Sequence, residues 1–176
     1  ILGQGQMSLA KYLLIVDHDD DPTLDIHDIE AFLCHLLKRV AWHRDLHFQT
    51  RTTIDTLDYS GSGLNQGSKL VIAAVGPPVR ELPIAAESDL RLPTGFSAAT
   101  VCLPGVLAVR GPSYAADASG SDVAVENFCN GYRDEDAINR FPLIVIVDES
   151  DFAARTLSNF LWVVFTRSNP AVDVYG

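Results

Sequence analysis

Three uninterrupted apolar runs fix most of what this 176-residue chain can become. They are Tyr12–Asp17 (YLLIVD), Leu70–Val75 (LVIAAV) and Phe141–Asp148 (FPLIVIVD), closed by an acid or by Gly76-Pro77-Pro78. Runs this short and this apolar read as buried strands. Between them the period changes. Ile29, Phe32, Leu33, Leu36, Leu37 and Val40 follow at i, i+3, i+4 and i+7, which predicts an amphipathic helix that Asp25 or Asp28 can cap. A second helix is expected over Ala153–Arg167, with Leu157, Phe160, Leu161, Val164 and Phe165 on one side. Strands are expected over Arg44–Thr53, in two pieces of Ala99–Arg110 split by Pro104-Gly105, and from Ala171 to Tyr175. Val79–Leu92 has mixed polarity and no clear element. Ser113–Val123, small and polar, is the expected mobile loop. Strand, helix and strand units alternate without a linker-like break. The fold class is therefore α/β: one domain, with a mixed or mostly parallel sheet covered by helices.

The chain also resembles itself. Ile15-Val16-Asp17, Phe32-Leu33, Arg39 and Asp45 recur as Ile146-Val147-Asp148, Phe160-Leu161, Arg167 and Asp173, with identical spacing from Phe-Leu to Arg and from Arg to Asp. Two similar β-α-β units with the same helix-to-sheet geometry would produce this, and a duplication is the favoured origin.

Composition narrows the partners. Apolar residues make up 47% and charged residues 20%, a balance that supports a packed core rather than disorder. The net charge of −10 argues against nucleic acid, whose phosphates reward basic surfaces, and against an anionic membrane surface. No run is long enough to span a bilayer. Cys34, Cys102 and Cys129 are scattered and odd in number, which fits a reducing cytoplasm better than a disulfide framework or a zinc site. The chain opens on Ile-Leu-Gly and stops directly after a patterned segment, so it reads as an excerpt of a longer polypeptide.

Several groupings invite chemistry. Asp17, Asp19, Asp20, Asp21, Asp25, Asp28 and Glu30 resemble a calcium loop. However, Pro22 and Asp28 stand where that loop needs glycine and a bidentate glutamate, so a solvated loop and helix start is the expectation. Gly61–Lys69 (GSGLNQGSK) offers a candidate anion loop through Gly63, Gly67, Ser68 and Lys69. It precedes a strand, though, and lacks P-loop spacing, which favours a structural role. The five histidines, His18, His27, His35, His43 and His47, are read as surface or interface groups. No nucleophile elbow or HExxH motif occurs. No catalytic and no metal-ligating residue is assigned. Ser168-Asn169-Pro170 reads as a helix stop, with Arg167 placed to pair with Asp173.

Three stretches resemble the C-terminal part of the UbiD family of carboxy-lyases. They are Lys11–Asp17 (KYLLIVD) with the helix and the Arg39…Asp45 spacing after it, Thr53–Lys69 with its Ile54-Asp55-x-Leu57-Asp58-Tyr59 and Gly67-Ser68-Lys69, and Phe160–Asp173 (FLWVVFTRSNPAVD). The resemblance implies decarboxylation of aromatic or unsaturated acids by prenylated FMN with a divalent metal (manganese) and potassium. In that family the flavin and the catalytic Glu-Arg-Glu set lie in a preceding domain, and no segment here matches them. Residues 1–176 would then be the non-catalytic C-terminal domain, building a homo-oligomer (dimer or higher) and lining the cleft that closes on substrate, with its own N-terminal catalytic domain as partner. Whether the chain is an enzyme by itself stays open. The alternative is an autonomous small-molecule or phosphate-binding α/β domain. The long acidic loop, the extension beyond the Gly-Ser-Lys segment and the late position of the Thr-Arg-x-x-Pro motif mark a divergent branch, so the substrate is left open.

Overall fold

The computed structural model describes residues 5–87, 90–115 and 120–175. A 3-10 turn over Gly5–Leu9 leads into β1 (Tyr12–Val16), a second 3-10 turn (His18–Asp20) and α1 (Ile29–Arg39). Then come α2 (Trp42–Asp45), β2 (Leu46–Thr52), β3 (Gly67–Ala74), β4 (Ser97–Leu103) and β5 (Val106–Arg110). The remainder is α3 (Val123–Asn130), a 3-10 turn (Ala137–Arg140), β6 (Leu143–Val147), α4 (Ser150–Ala154), α5 (Leu157–Leu161), a π-helical stretch (Trp162–Thr166) and α6 (Pro170–Asp173). The class is α/β in one domain, and the strands among the described residues form two mixed three-stranded sheets, β1-β3-β2 and β4-β5-β6.

The two sheets share a plan. In the first, β3 is central, parallel to β1 and antiparallel to β2. In the second, β5 is central, parallel to β6 and antiparallel to β4. β1 and β6 carry the two Ile-Val-Asp motifs and occupy the same place, with Val16 opposite Ala74 and Val147 opposite Arg110. The duplicated aspartates match as well. Asp45 accepts the Ala41 amide at 2.8 Å and Asp173 accepts the Asn169 amide at 2.6 Å, each carboxylate closing a four-residue helix from its end.

Helix α1 begins where Asp28 accepts the Ala31 amide at 3.0 Å, satisfying one of the free donors of the first turn. Its apolar stripe (Leu33, Leu36, Leu37, Val40) enters a core shared by both sheets, with Ala74, Leu103, Val106, Ala108, Val145, Ala153 and Phe160. β5 is buried on both faces. Val106 and Ala108 face that core, while Leu107 and Val109 face a second one with Phe128, Ile138 and Phe141. The alternation follows the strand's two-residue period. The β4–β5 hairpin turns on Pro104-Gly105, where Gly105 adopts φ +81, a region glycine enters without a Cβ penalty.

Four expectations are corrected. The final strand expected over Ala171–Tyr175 is instead α6, because Pro170 stands at its first position and the Asn169 side chain caps it, so the second unit lacks a closing strand. The helix expected over Ala153–Arg167 is broken at Arg155-Thr156, where Thr156 is extended and its hydroxyl accepts the Asn159 amide to start α5. Arg167 stacks over Trp162 at 5.3 Å instead of pairing with Asp173, whose carboxylate is taken by the Asn169 amide. Gly67, Ser68 and Lys69 open β3 instead of ending the loop before it. Residues 116–119 of the expected mobile loop, and the first and last residues on which the excerpt reading rests (1–4 and 176), lie outside the described residues.

One buried group carries a pH prediction. His35 on α1 is buried and its Nε2 has no hydrogen-bond partner among the described residues. Burial, then Arg39, push its pKa below the ordinary value, against the pull of Asp21 and Asp20; Lys38 adds a further downward push. The folded state therefore binds this proton less readily than the unfolded chain. The stability tied to neutral His35 is complete above pH ~6.5 and is lost as pH falls through the lowered folded value. Urea midpoints measured from pH 7.5 down to pH 5 should fall for the parent and fall less for His35→Leu. Parallel profiles would remove His35 as the cause.

Candidate functional site

The three stretches that carry the family resemblance meet at one polar seam. Its floor is the loop between β2 and β3, and its residue types are explained by local physics. Asp55 accepts the Leu57 amide at 2.8 Å, and Asp58 accepts both the amide (2.9 Å) and the hydroxyl (2.6 Å) of Ser60, turns that aspartate favours. Ile54 is buried beneath them. A Cβ on Gly67 would meet its Cγ2 at 2.4 Å, and one on Gly61 would meet the Gln66 carbonyl oxygen at 2.3 Å. Glycine is required there for space. The turn is closed by Ser62 donating to the Gln66 carbonyl (2.9 Å) and by Gln66 donating to that of Gly63 (3.0 Å).

From the residue before β1, Lys11 reaches over this floor. Its ammonium pairs with Asp58 at 3.1 Å and donates to the Ser60 hydroxyl (3.0 Å) and the Thr166 carbonyl (3.1 Å). Tyr12 shares a 2.5 Å hydrogen bond with Ser168, and its ring meets the edge of Phe165 at 4.9 Å. From β3, Ser68 donates to the Asn169 side-chain oxygen at 2.5 Å and accepts from the Ala171 amide at 2.9 Å. Thus β1, the Asp58–Gln66 loop and the Thr166–Pro170 turn are bonded into one unit.

Burial raises Tyr12 above its ordinary value; the Ser168 bond opposes this, and Asp173 and Asp58 add to it. For Asp58 burial is the largest single effect and pushes upward, but the Ser60 bonds and Lys11 together outweigh it and hold the carboxyl low. Asp173 is pushed up, mainly by burial. Lys69 is pushed down by burial alone.

The four candidate anion-loop residues separate. Gly63 forms a bridge with Gln66, and Gly67 lines a cavity of about 260 Å³ together with Thr50, Arg51, Ser62, Gln66 and Asn169. Ser68 is committed to Asn169 and Ala171. Lys69 projects from the other face of β3, where its ammonium donates to the carbonyls of Ser8 and Ala10, the latter at 3.1 Å. Sequence reasoning missed Arg51 and Asn169. Ser-Asn-Pro was legible only as a stop, and no pattern announced the placement of Arg51.

Among the described residues, no group of three or more His, Cys, Asp or Glu side chains is arranged to hold a metal ion. No helix among them is long and apolar enough to cross a membrane.

Comparison with known proteins places this geometry. Residues 1–74 match the family model of the 3-octaprenyl-4-hydroxybenzoate carboxy-lyase C-terminal domain, a stretch running from the N-terminal turn through the last residue of β3. An uncharacterized protein of Chlamydia caviae is 33% identical over 175 residues, 99% of this chain and 27% of that protein. One of Chlamydia trachomatis is 34% identical over the same shares. A Chlamydia pneumoniae protein, named as one of the subunits of 4-hydroxybenzoate decarboxylase, is 29% identical, again over 99% of this chain and 27% of its own length. The chain thus spans about a quarter of the curated relatives it matches.

Proposed function

We propose, from the premise that residues 1–74 are a UbiD-family C-terminal domain segment and the chain a UbiD-like decarboxylase component, that it serves as the assembly and cleft-closing domain of such an enzyme. The observation that carries this reading is the match over the whole β1–α1–β2–β3 unit, whose conspicuous residues serve structure: Lys11, Asp58, Ser60 and Ser68 are all spent on holding the seam. On this reading the catalytic residues lie on an N-terminal partner domain. That domain would also hold prenylated FMN with its divalent metal and potassium, and the substrate would be an aromatic acid such as 4-hydroxybenzoate. Residues 1–176 as a whole form the C-terminal domain, and the reducing cytoplasm is its compartment, in keeping with three unpaired cysteines.

Assembly has a surface to use. β2 is paired on one side only, Phe48 on it is exposed, and Leu57, Tyr59 and Leu64 of the following loop are 77–88% exposed. Exposed apolar side chains on an edge strand and the loop after it offer a second copy of the chain a surface to cover.

The test is made on the longer protein containing this chain, produced in a host that makes prenylated FMN. It should release CO2 from 4-hydroxybenzoate, and the 176-residue chain alone should not. Leu57→Asp with Tyr59→Asp, both at exposed positions, should shift sedimentation toward the monomer. A parent protein that sediments as a monomer would rule out the assembly role. CO2 release by the isolated chain would rule out the non-catalytic one.

A further inference from the structure

The cavity beside the seam has the donor set of an anion site. In β2 the pairing with β3 slips: Gln49 lies opposite Lys69 and Thr52 opposite Gly67, so Thr50 and Arg51 together face the single residue Ser68. That is a β-bulge, a device that re-aims side chains next to binding sites. Consecutive residues of a regular strand point to opposite faces, yet here both line the same cavity.

The other walls are also donors. Asn169 has its side-chain oxygen occupied by the Ser68 hydroxyl (2.5 Å) and the Ala171 amide (3.3 Å), while its amide nitrogen donates to no partner among the described residues. Ser62 and Gln66 are held by the closed turn between them, so their positions need little ordering on binding. The Arg51 guanidinium makes no ion pair among the described residues, whereas Lys11, Arg39, Arg44, Arg110 and Arg140 each do. In a chain with 23 acidic residues, none lines this cavity. Asp173, which holds the Asn169 backbone amide, lies outside it.

We propose that this cavity, about 260 Å³ between the β2 bulge, the Ser62–Gly67 turn and Asn169, binds a small oxyanion through Arg51, with Thr50, Ser62, Gln66 and Asn169 completing its hydrogen bonds. A guanidinium presents two parallel donors that match a carboxylate or a phosphate equally, and the hydroxyls and amides suit the remaining oxygens of either. The site does not depend on the decarboxylase reading. It joins β2 and the Ser62–Gly67 turn to Asn169 before α6, so a bound anion would add a bond across the seam.

The experiment is an amide-shift titration of the chain by NMR with inorganic phosphate in one arm and benzoate in the other, at constant ionic strength set with chloride. Saturable shifts at Arg51, Gly67 and Asn169 are expected. Arg51→Gln should weaken binding at least about tenfold, the loss of one charge-assisted contact, while Arg91→Gln, exposed in the segment before β4, should leave it unchanged. Saturation by phosphate assigns a phosphoryl group and saturation by benzoate alone a carboxylate, and either supports the site. Shifts that rise linearly without saturation in both arms, or that persist in Arg51→Gln, would overturn it and leave a water-filled gap.

Discussion

Phe160→Ala is expected to lower stability by about 3–5 kcal/mol, and with it the melting temperature by roughly 6–20 °C for a domain of this size. Phe160 is 1% exposed and stands on α5 where both sheets meet, in one cluster with Leu36 of α1 and Val40 just after it, Ala74 of β3, Val106 of β5 and Val145 of β6. Neighbours that belong to so many separate elements cannot all close on the void, so the cavity term adds to the lost transfer energy. Total stability of small domains is only ~5–15 kcal/mol, so the loss is a large share. Urea unfolding followed by fluorescence checks it, with Trp162→Ala, half exposed on the next turn, as a control expected to cost little. A drop of under ~1 kcal/mol for Phe160→Ala would mean that the sheets do not share this core.

The second large effect is Lys69→Ala, expected to cost about 2–4 kcal/mol. Lys69 is 1% exposed, and its ammonium is held by the carbonyls of Ser8 and Ala10, with no carboxylate paired to it among the described residues. Alanine removes both a buried alkyl stem and the donor those carbonyls use. Lys69→Met keeps the volume and discards the buried charge, so it should remain within ~1.5 kcal/mol of the parent. The charge has its own signature. Burial lowers the Lys69 pKa, so the folded chain releases that proton before the unfolded chain does. Its contribution is complete above the ordinary amine value and is lost as pH falls through the folded value. The parent should therefore gain stability on the alkaline side, and the Met variant should not. Equal losses in both variants would place the whole effect in the two carbonyls.

The parts of the fold legible from sequence are those where one local force decides. YLLIVD, LVIAAV and FPLIVIVD are strands because nothing but burial suits them, and Asp28 caps α1 because a free amide lies three residues on. The pairing of strands was not legible. An apolar run does not name its neighbour, so neither the division into two sheets nor the strand order within each could be read from it. Pro170 shows a different failure. Proline after a helix reads as a stop, yet with Asn169 before it the same residue begins a helix, whose start is held both by the Asn169 cap and by Ser68, distant in sequence. The seam was half legible. Its three stretches were recognisable singly, whereas their meeting and the bulge that brings Thr50 and Arg51 together at the cavity wall depend on register, which a strand's composition leaves undetermined.

The seam also sets an order of events. Lys11 waits for Thr166 and Tyr12 for Ser168, partners 155 and 156 residues later in the chain. Synthesis proceeds from the N-terminus, so when β1, β2 and β3 leave the ribosome Lys11 can already find Asp58 and Ser60, whereas the Tyr12 hydroxyl still faces water, and pairings as distant as those to Thr166 and Ser168 close late. During that interval the Tyr12 hydroxyl and the apolar face around it are open to whatever else is nearby. The turn around Ser168 ends that exposure, and a pause in translation before it would lengthen the time in which a nascent chain can aggregate.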